Sequence, residues 1–262
     1  MLIMLLVAPA TIYIATLALL YLSQNKLIFP GAKPNYLLYS KLEDNLETVK
    51  SDNCTLQGWK LEGVNPEVDT VVIYFGGNAE DTGQMLPVLK RLNVNYAYTF
   101  NYRGYGLSEG KPSEYNLYRD SKIIFNHVKT QLPASRVIII GHSLGSAVAG
   151  YLASVANIDK LILLSPLSSL DEIAKFHFKQ IIPGFLLKHK FDLKSHARSI
   201  SAECMVILAQ DDSIVKNDFS MKTYQNLKVE KHLYVIPDTD HNNLFNANCA
   251  IERINNFIRK TE

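Results

Sequence analysis

Gly141-His142-Ser143-Leu144-Gly145 follows the β-branched run Val137-Ile138-Ile139-Ile140 and opens a stretch of small residues, Ala147, Ala149, Gly150 and Ala153. Strand, tight turn and helix in that order lift a serine hydroxyl above the end of a sheet, and flanking glycines let strand and helix approach closely. Such a serine can attack an acyl carbonyl and hold the acyl group as a covalent ester. A hydroxyl is a weak nucleophile at neutral pH, so it needs a base in hydrogen-bond reach and an acid to orient that base. On an elbow of this kind the chain order is nucleophile, acid, histidine. His177, His189, His196, His232 and His241 follow Ser143. The first three fall in an irregular insertion, and His232 opens an apolar run that belongs to a strand. His241 sits in the polar loop Asp238-Thr239-Asp240-His241-Asn242-Asn243, after Leu233 to Ile236, where a base can reach the elbow.

For the acid, the loop after Met205 to Ala209 offers Asp211 and Asp212. Asp212 precedes Ser213-Ile214-Val215, an arrangement that turns the carboxylate inward while the valine anchors the loop; it is preferred, with Asp211 as the alternative. The oxyanion of an acyl transfer needs two backbone N–H donors, one from the residue after the nucleophile, Leu144, and one from the loop after an earlier strand. That loop reads Phe75-Gly76-Gly77-Asn78-Ala79-Glu80, and the Asn78 N–H is the expected second donor. A phosphate cradle is the rival reading of a glycine-rich loop, but neither G-x-x-x-x-G-K-[ST] nor G-x-G-x-x-G occurs.

The elements that must position these groups read as an alternation. Strand-like runs at Thr70 to Phe75, Tyr96 to Asn101, Arg136 to Ile140, Lys160 to Leu164, Glu203 to Ala209 and His232 to Ile236 are separated by helix-period segments. The helices are expected at Asp81 to Leu92, Ser113 to Thr130, Ser143 to Ala156, Asp218 to Leu227 and Leu244 to Lys260, with a hairpin of edge strands between Val49 and Leu61. This implies an α/β fold: a mostly parallel sheet with helices on both faces and chemistry at the strand C-termini. Residues 168–200 break the rhythm. Phe176, Phe178, Ile181, Ile182, Phe185, Leu186, Leu187 and Phe191 interleave with Lys175, Lys179, Lys188, Lys190 and Lys194 around Pro183-Gly184, the pattern of two short amphipathic helices forming either a small helical lid or an ordinary satellite packed on the sheet.

Of 262 residues, 27 Lys+Arg against 25 Asp+Glu leave a net charge of +2, too balanced for a phosphate-backbone binder, so no nucleic-acid partner is expected. With 47% apolar and 20% charged residues the chain can bury a full core. Cys54, Cys204 and Cys249 are odd in number and far apart, offering neither a zinc spacing nor a disulfide framework, and no metal or organic cofactor is implied. Residues 1–24 carry no Lys, Arg, His, Asp or Glu and read as a single-pass N-terminal transmembrane helix, with one domain over 25–262. A cleaved signal is disfavoured by the missing basic n-region and cleavage site. Lys26 and Lys33 on the C-terminal side favour a cytoplasmic domain.

Tyr74 to Glu80, Asn101-Tyr102-Arg103-Gly104-Tyr105-Gly106-Leu107-Ser108-Glu109-Gly110 and Gly141 to Ser146 together resemble the α/β-hydrolase superfamily. More narrowly they are similar to its single-pass, membrane-tethered branch, which includes protein depalmitoylases and is grouped with serine aminopeptidase-like hydrolases. The resemblance implies an α/β-hydrolase fold with Ser143 as nucleophile, Asp212 and His241 as its partners, and Asn78 with Leu144 as oxyanion donors. The Ser/Asp/His order, the oxyanion loop and the hydrophobic insertion beside the anchor lead to the expected function, a membrane-anchored serine hydrolase of acyl esters or thioesters met at a lipid membrane. Two departures stand out: Gly76-Gly77 where the family has His-Gly, and Ala209 where a glycine commonly begins the aspartate loop. Arg103 and Tyr105 are expected to be buried supports of the elbow. A peptidase releasing N-terminal residues is the enzymatic alternative, requiring an acidic recess for the substrate ammonium group. A catalytically silent protein that binds a lipid or partner is the non-enzymatic one.

Overall fold

Runs such as Val71-Val72-Ile73 and Val137 to Ile140 are β-branched and apolar without alternation, which suits strands buried on both faces. The computed structural model describes residues 2–63, 65–177 and 183–260; the side chains of residues 2–10 and 185 lie outside the described residues. In chain order the elements are α1 (Leu2–Ile28), α2 (Tyr36–Lys41), β1 (Leu46–Ser51), β2 (Cys54–Glu62), β3 (Thr70–Phe75), α3 (Leu86–Leu89), β4 (Tyr96–Phe100), α4 (Glu114–Gln131), β5 (Arg136–His142), α5 (Leu144–Val155) and β6 (Lys160–Leu164). There follow α6 (Leu170–His177), α7 (Leu193–His196), β7 (Glu203–Ala209), α8 (Asn217–Asn226), β8 (Lys231–Ile236) and α9 (Asn248–Arg259).

The strands form one sheet in the order β1-β2-β4-β3-β5-β6-β7-β8. From β4 to β8 every pairing is parallel, while β2 runs antiparallel to β1 and β4. The period of two along each strand divides the core. Val71, Ile73, Ile139, Leu161, Leu163, Val206 and Leu208 face a layer containing Leu117, Val128, Leu152 and Leu193 from α4, α5 and α7. Val72, Tyr74, Ile138, Ile140, Ile162, Met205 and Ile207 face Leu86, Leu89, Ile251, Ile254 and Phe257 from α3 and α9. Helices therefore cover both faces, as the alternation implies. The chain steps from β3 to β4 on one side and to β5 on the other, so a crevice opens at the C-terminal ends of β3 and β5, where an open α/β sheet binds ligands.

Two expectations change. The helix expected from Asp81 to Leu92 is a 3₁₀ turn at Thr82–Met85 followed by the single-turn α3, because Pro87 can sit only in a first helical turn. The segment 168–200 contributes α6, a 3₁₀ turn at Gly184–Leu186 and α7, with Phe178, Lys179, Ile181 and Ile182 outside the described residues.

The single-pass anchor expected over residues 1–24 is not supported: among the described residues no helix is long and apolar enough to cross a membrane, and the side chains of residues 2–10 lie outside them. Of α1, the apolar stretch with described side chains runs from Thr11 to Leu22. The polar turn Ser23-Gln24-Asn25-Lys26 ends it, and Gln24 is buried against the protein rather than in solvent.

Candidate active site

The elbow is built from close backbone contacts. A Cβ on Gly145 would collide with the carbonyl oxygens of Phe75 and Gly76, and one on Gly141 with the Gly145 carbonyl and Ala149. Glycine at both positions lets β3, β5 and α5 converge. Ser143 sits between them at φ 53°, ψ −118°, a region a side-chain-bearing residue adopts at a cost of about 1–3 kcal/mol. The surroundings hold it there. Its N–H donates to the Leu164 carbonyl at 3.0 Å, and its own carbonyl accepts both the Ser146 N–H at 3.0 Å and the Ser146 hydroxyl at 2.5 Å.

The structure brings three remote side chains together. The Ser143 hydroxyl donates to His241 Nε2 at 2.8 Å, and His241 Nδ1–H donates to Asp212 Oδ2 at 2.8 Å. Asp212 Oδ1 accepts the N–H groups of Ile214 at 3.0 Å and Val215 at 2.8 Å, so both carboxylate oxygens are engaged. Burial opposes a charge on Asp212, but the hydrogen bond and charge of the His241 ring and the Val215 N–H outweigh it and hold the carboxyl below the ordinary carboxylate range. An ionised Asp212 fixes the proton on Nδ1, which leaves the Nε2 lone pair facing the serine. Asp211 is exposed, and its N–H donates to the Thr239 carbonyl at 2.9 Å. The His241 loop is braced by Asp240, whose Oδ1 accepts from Asn242 at 2.8 Å and Asn243 at 3.0 Å.

Asn78 and Leu144 line the same cavity as Ser143 and His241. Leu144 is the first residue of α5, so its N–H has no partner within the helix and lies at the positive end of the helix dipole. The loop carrying Asn78 is held by side chains whose sequence context gives no sign of that role. Tyr102 donates to the Gly76 carbonyl at 2.8 Å, Tyr105 donates to the Asn78 carbonyl at 2.6 Å, and Glu80 Oε2 accepts from the Gly77 N–H at 3.2 Å and from the Tyr74 hydroxyl at 3.1 Å. His142 lies behind the site, its Nε2 3.0 Å from the His241 carbonyl and its ring centroid 5.0 Å from that of His241.

Arg103 is not a support of the elbow. Its Nε and Nη2 grip the Asp120 carboxylate at 2.6 and 2.7 Å, and Nη2 donates to Ser51 Oγ at 2.8 Å, which ties the β1–β2 hairpin to α4. Tyr105 supports the loop of Asn78 rather than the elbow itself. Both corrections have one cause: the partners are residues far away in the chain, whereas the expectation rests on the motif around them.

The cavity above Ser143 measures about 360 Å³. Its walls are Leu20, Leu27 and Ile28 from α1, Leu170 and Ile173 from α6, and Leu187, Ile214 and Val215 from loops, and no Lys, Arg, Asp or Glu lines it among the described residues. Elsewhere, Glu203, Glu230 and His232 present ligand atoms within 4.8 Å of one another, but Lys160 and Lys260 pair with the two carboxylates at 2.9 and 3.1 Å, which makes the group an ion-pair network. Cys54, Cys204 and Cys249 are free, and burial pushes the Cys204 thiol well above its ordinary pKa.

The esterase Pf2001 of Pyrococcus furiosus superposes with a TM-score of 0.68 over 84% of this chain and 94% of its own, at 21% sequence identity. Residues 66–189 match the family model described as serine aminopeptidase, S33. The chain belongs to the α/β-hydrolase superfamily. Among curated relatives of this α/β hydrolase, an uncharacterized protein of Mycobacterium tuberculosis is 29% identical over 248 residues, 91% of this chain and 88% of its own. Lysophosphatidylserine lipase ABHD12 of Danio rerio is 32% identical over 177 residues, 59% of this chain and 46% of that protein. The family model and the lipase relative support hydrolase activity.

Proposed function

We propose that this hydrolase cleaves acyl esters or thioesters through a serine nucleophile at a lipid surface. The observation that carries the reading is the Ser143–His241–Asp212 relay at the floor of an uncharged apolar cavity. Ser143 Oγ bonds the acyl carbon while its proton passes to His241 Nε2, and the N–H groups of Asn78 and Leu144 receive the negative charge that develops on the carbonyl oxygen. The same Nε2–H then protonates the departing alkoxide or thiolate, leaving the acyl group on Ser143. Water enters and gives a proton to His241 while its oxygen bonds the acyl carbon; the acyl–Oγ bond then breaks as His241 returns that proton to Ser143, releasing the carboxylic acid. Asp212 stays ionised throughout and stabilises the imidazolium.

A lipid surface is favoured by α1, which exposes Ile12, Ile14, Leu19 and Leu22, apolar side chains that a water-facing helix rarely presents together. Acyl substrates also agree with the relatives named for esterase and lipase activity. Release of N-terminal residues, the activity in the family description, calls for a carboxylate to hold an ammonium group, and the described lining residues include none.

The test is turnover of matched p-nitrophenyl esters and acyl thioesters by the full chain in detergent micelles. Saturable hydrolysis is expected, falling about 10⁴-fold or more in kcat for Ser143→Ala. Wild-type turnover by Ser143→Ala, or amide cleavage without ester cleavage, would overturn the reading.

A further inference from the structure

Leu20, Gln24, Leu27 and Ile28 all line the cavity, and they stand at i, i+4, i+7 and i+8, one stripe of a helix. Leu170, Ile173, Ala174 and His177 line it from α6 at i, i+3, i+4 and i+7. The cavity is thus a slot between two helical faces with Ser143 at its base. The wall supplied by α1 is held in a fixed register. The Gln24 side chain is buried, its Nε2 donating to the Leu186 carbonyl at 2.8 Å and its Oε1 accepting the Lys188 N–H at 2.8 Å. One residue on, Asn25 Oδ1 lies 3.1 Å from His189 Nε2, and His189 Nδ1 accepts the Glu114 N–H at 3.3 Å, which places the ring proton on Nε2 toward Asn25. Phe29 closes the contact, edge-on to His189 and Phe191 at 5.1 and 6.0 Å. A helix that only tethered the protein would need none of these buried amide contacts.

We propose that the C-terminal turns of α1 form the acyl-selecting wall of the active site, with Leu20, the first α1 residue to line the cavity, limiting how long a chain the slot accepts. The volume, about 360 Å³, is at the low end of the roughly 300–1,000 Å³ of ligand pockets, and apart from the catalytic residues its lining is mostly apolar, with Gln24, Asn78, His177 and Asn242 the polar exceptions. The ligand is therefore a single apolar acyl chain, laid along the same helix that exposes Leu19 and Leu22 on its other side. The inference rests on the serine-hydrolase reading and adds to it that α1 belongs to the substrate site.

The experiment measures kcat/KM of the full chain in detergent micelles for p-nitrophenyl acetate and p-nitrophenyl palmitate, with fluorophosphonate labelling of Ser143 followed in each variant. Leu20→Trp narrows the slot and should lower the palmitate-to-acetate ratio about tenfold or more, since even one methylene misfitted in an apolar pocket changes selectivity by roughly 10–200-fold. Leu20→Ala should move the ratio the other way, and it decides the matter if the tryptophan variant does not label. A ratio unchanged in a variant that still labels overturns the role of α1 while leaving the serine mechanism standing. Failure of the wild type to label or hydrolyse either ester overturns both.

Discussion

The substitution Asp212→Asn separates charge from shape at the candidate active site. In the wild type Asp212 Oδ1 accepts two backbone N–H groups and Oδ2 accepts His241 Nδ1–H at 2.8 Å. The amide that replaces the carboxylate keeps its oxygen toward the N–H groups of Ile214 and Val215, because turning it would set donor against donor twice. Its NH₂ then faces Nδ1 and donates to it, so the ring proton moves to Nε2. That nitrogen can no longer accept from Ser143. A wrong tautomer in an intact triad costs about 10⁴ in kcat, or about 5.5 kcal/mol of transition-state stabilisation at 1.36 kcal/mol per tenfold. The assay is steady-state hydrolysis of a short-chain p-nitrophenyl ester, paired with thermal unfolding to show that the variant is folded. KM should change little, because the acyl cavity is untouched. A kcat within threefold of wild type would refute the reasoning, as would a large loss in Asp211→Asn with none in Asp212→Asn.

Tyr105→Phe removes the hydroxyl that holds the Asn78 carbonyl at 2.6 Å; with a net hydrogen bond worth about 0.5–1.5 kcal/mol, kcat should fall about threefold to tenfold with little change in KM, and an effect on KM alone would contradict the placement of the oxyanion loop. Gly145→Ala forces a methyl against the Phe75 and Gly76 carbonyls and should cost about 1–3 kcal/mol in chemical unfolding together with most of the activity; a stable, active alanine variant would show that the elbow is looser than these contacts require. Glu172 joins α6 to α7 and α8 through Lys194 and Lys222, and although burial works against its charge, the two lysines and Ser168 bring its pKa down to about 2. A lowered carboxylate stabilises above its unfolded value of about 4.3 and loses that contribution as pH falls through the folded value, so the gap in stability between wild type and Glu172→Gln should close between about pH 4 and pH 2; a constant gap over that window would remove Glu172 as the clasp of the insertion.

How much residue types alone reveal depends on how local the determining contacts are. The elbow is local: β-branched strand, glycine, serine, glycine and small-residue helix are consecutive, and the same residues form β5, the turn at φ 53° and α5. The sheet is readable because its central strands, β3 to β7, are buried on both faces and announce themselves as apolar runs. Asp212 and His241 need an ordering rule as well as pattern, since nothing within either loop shows that they meet. Arg103 shows where locality fails. It lies between Tyr102 and Gly104 in a motif next to the site, but its charge is satisfied by Asp120 on α4. Glu80, which braces Gly77, looks in the sequence like any acid after a glycine-rich loop. Gln24 reads as the end of an apolar anchor, because an amide at a helix end looks like a membrane boundary unless the carbonyl and N–H it binds, more than a hundred residues away in the chain, are known. Pro87 is a readable signal that the helical period around it masks, and it shortens α3 to a single turn.

The central claim is that His241 activates Ser143. Covalent labelling of the full chain by a fluorophosphonate, with the modified peptide mapped by mass spectrometry, tests it most directly. The account predicts a single adduct on the peptide containing Ser143, formed rapidly by the wild type and slowed by several orders of magnitude in His241→Ala. An adduct on another residue, or equal labelling rates with and without the imidazole, would contradict it.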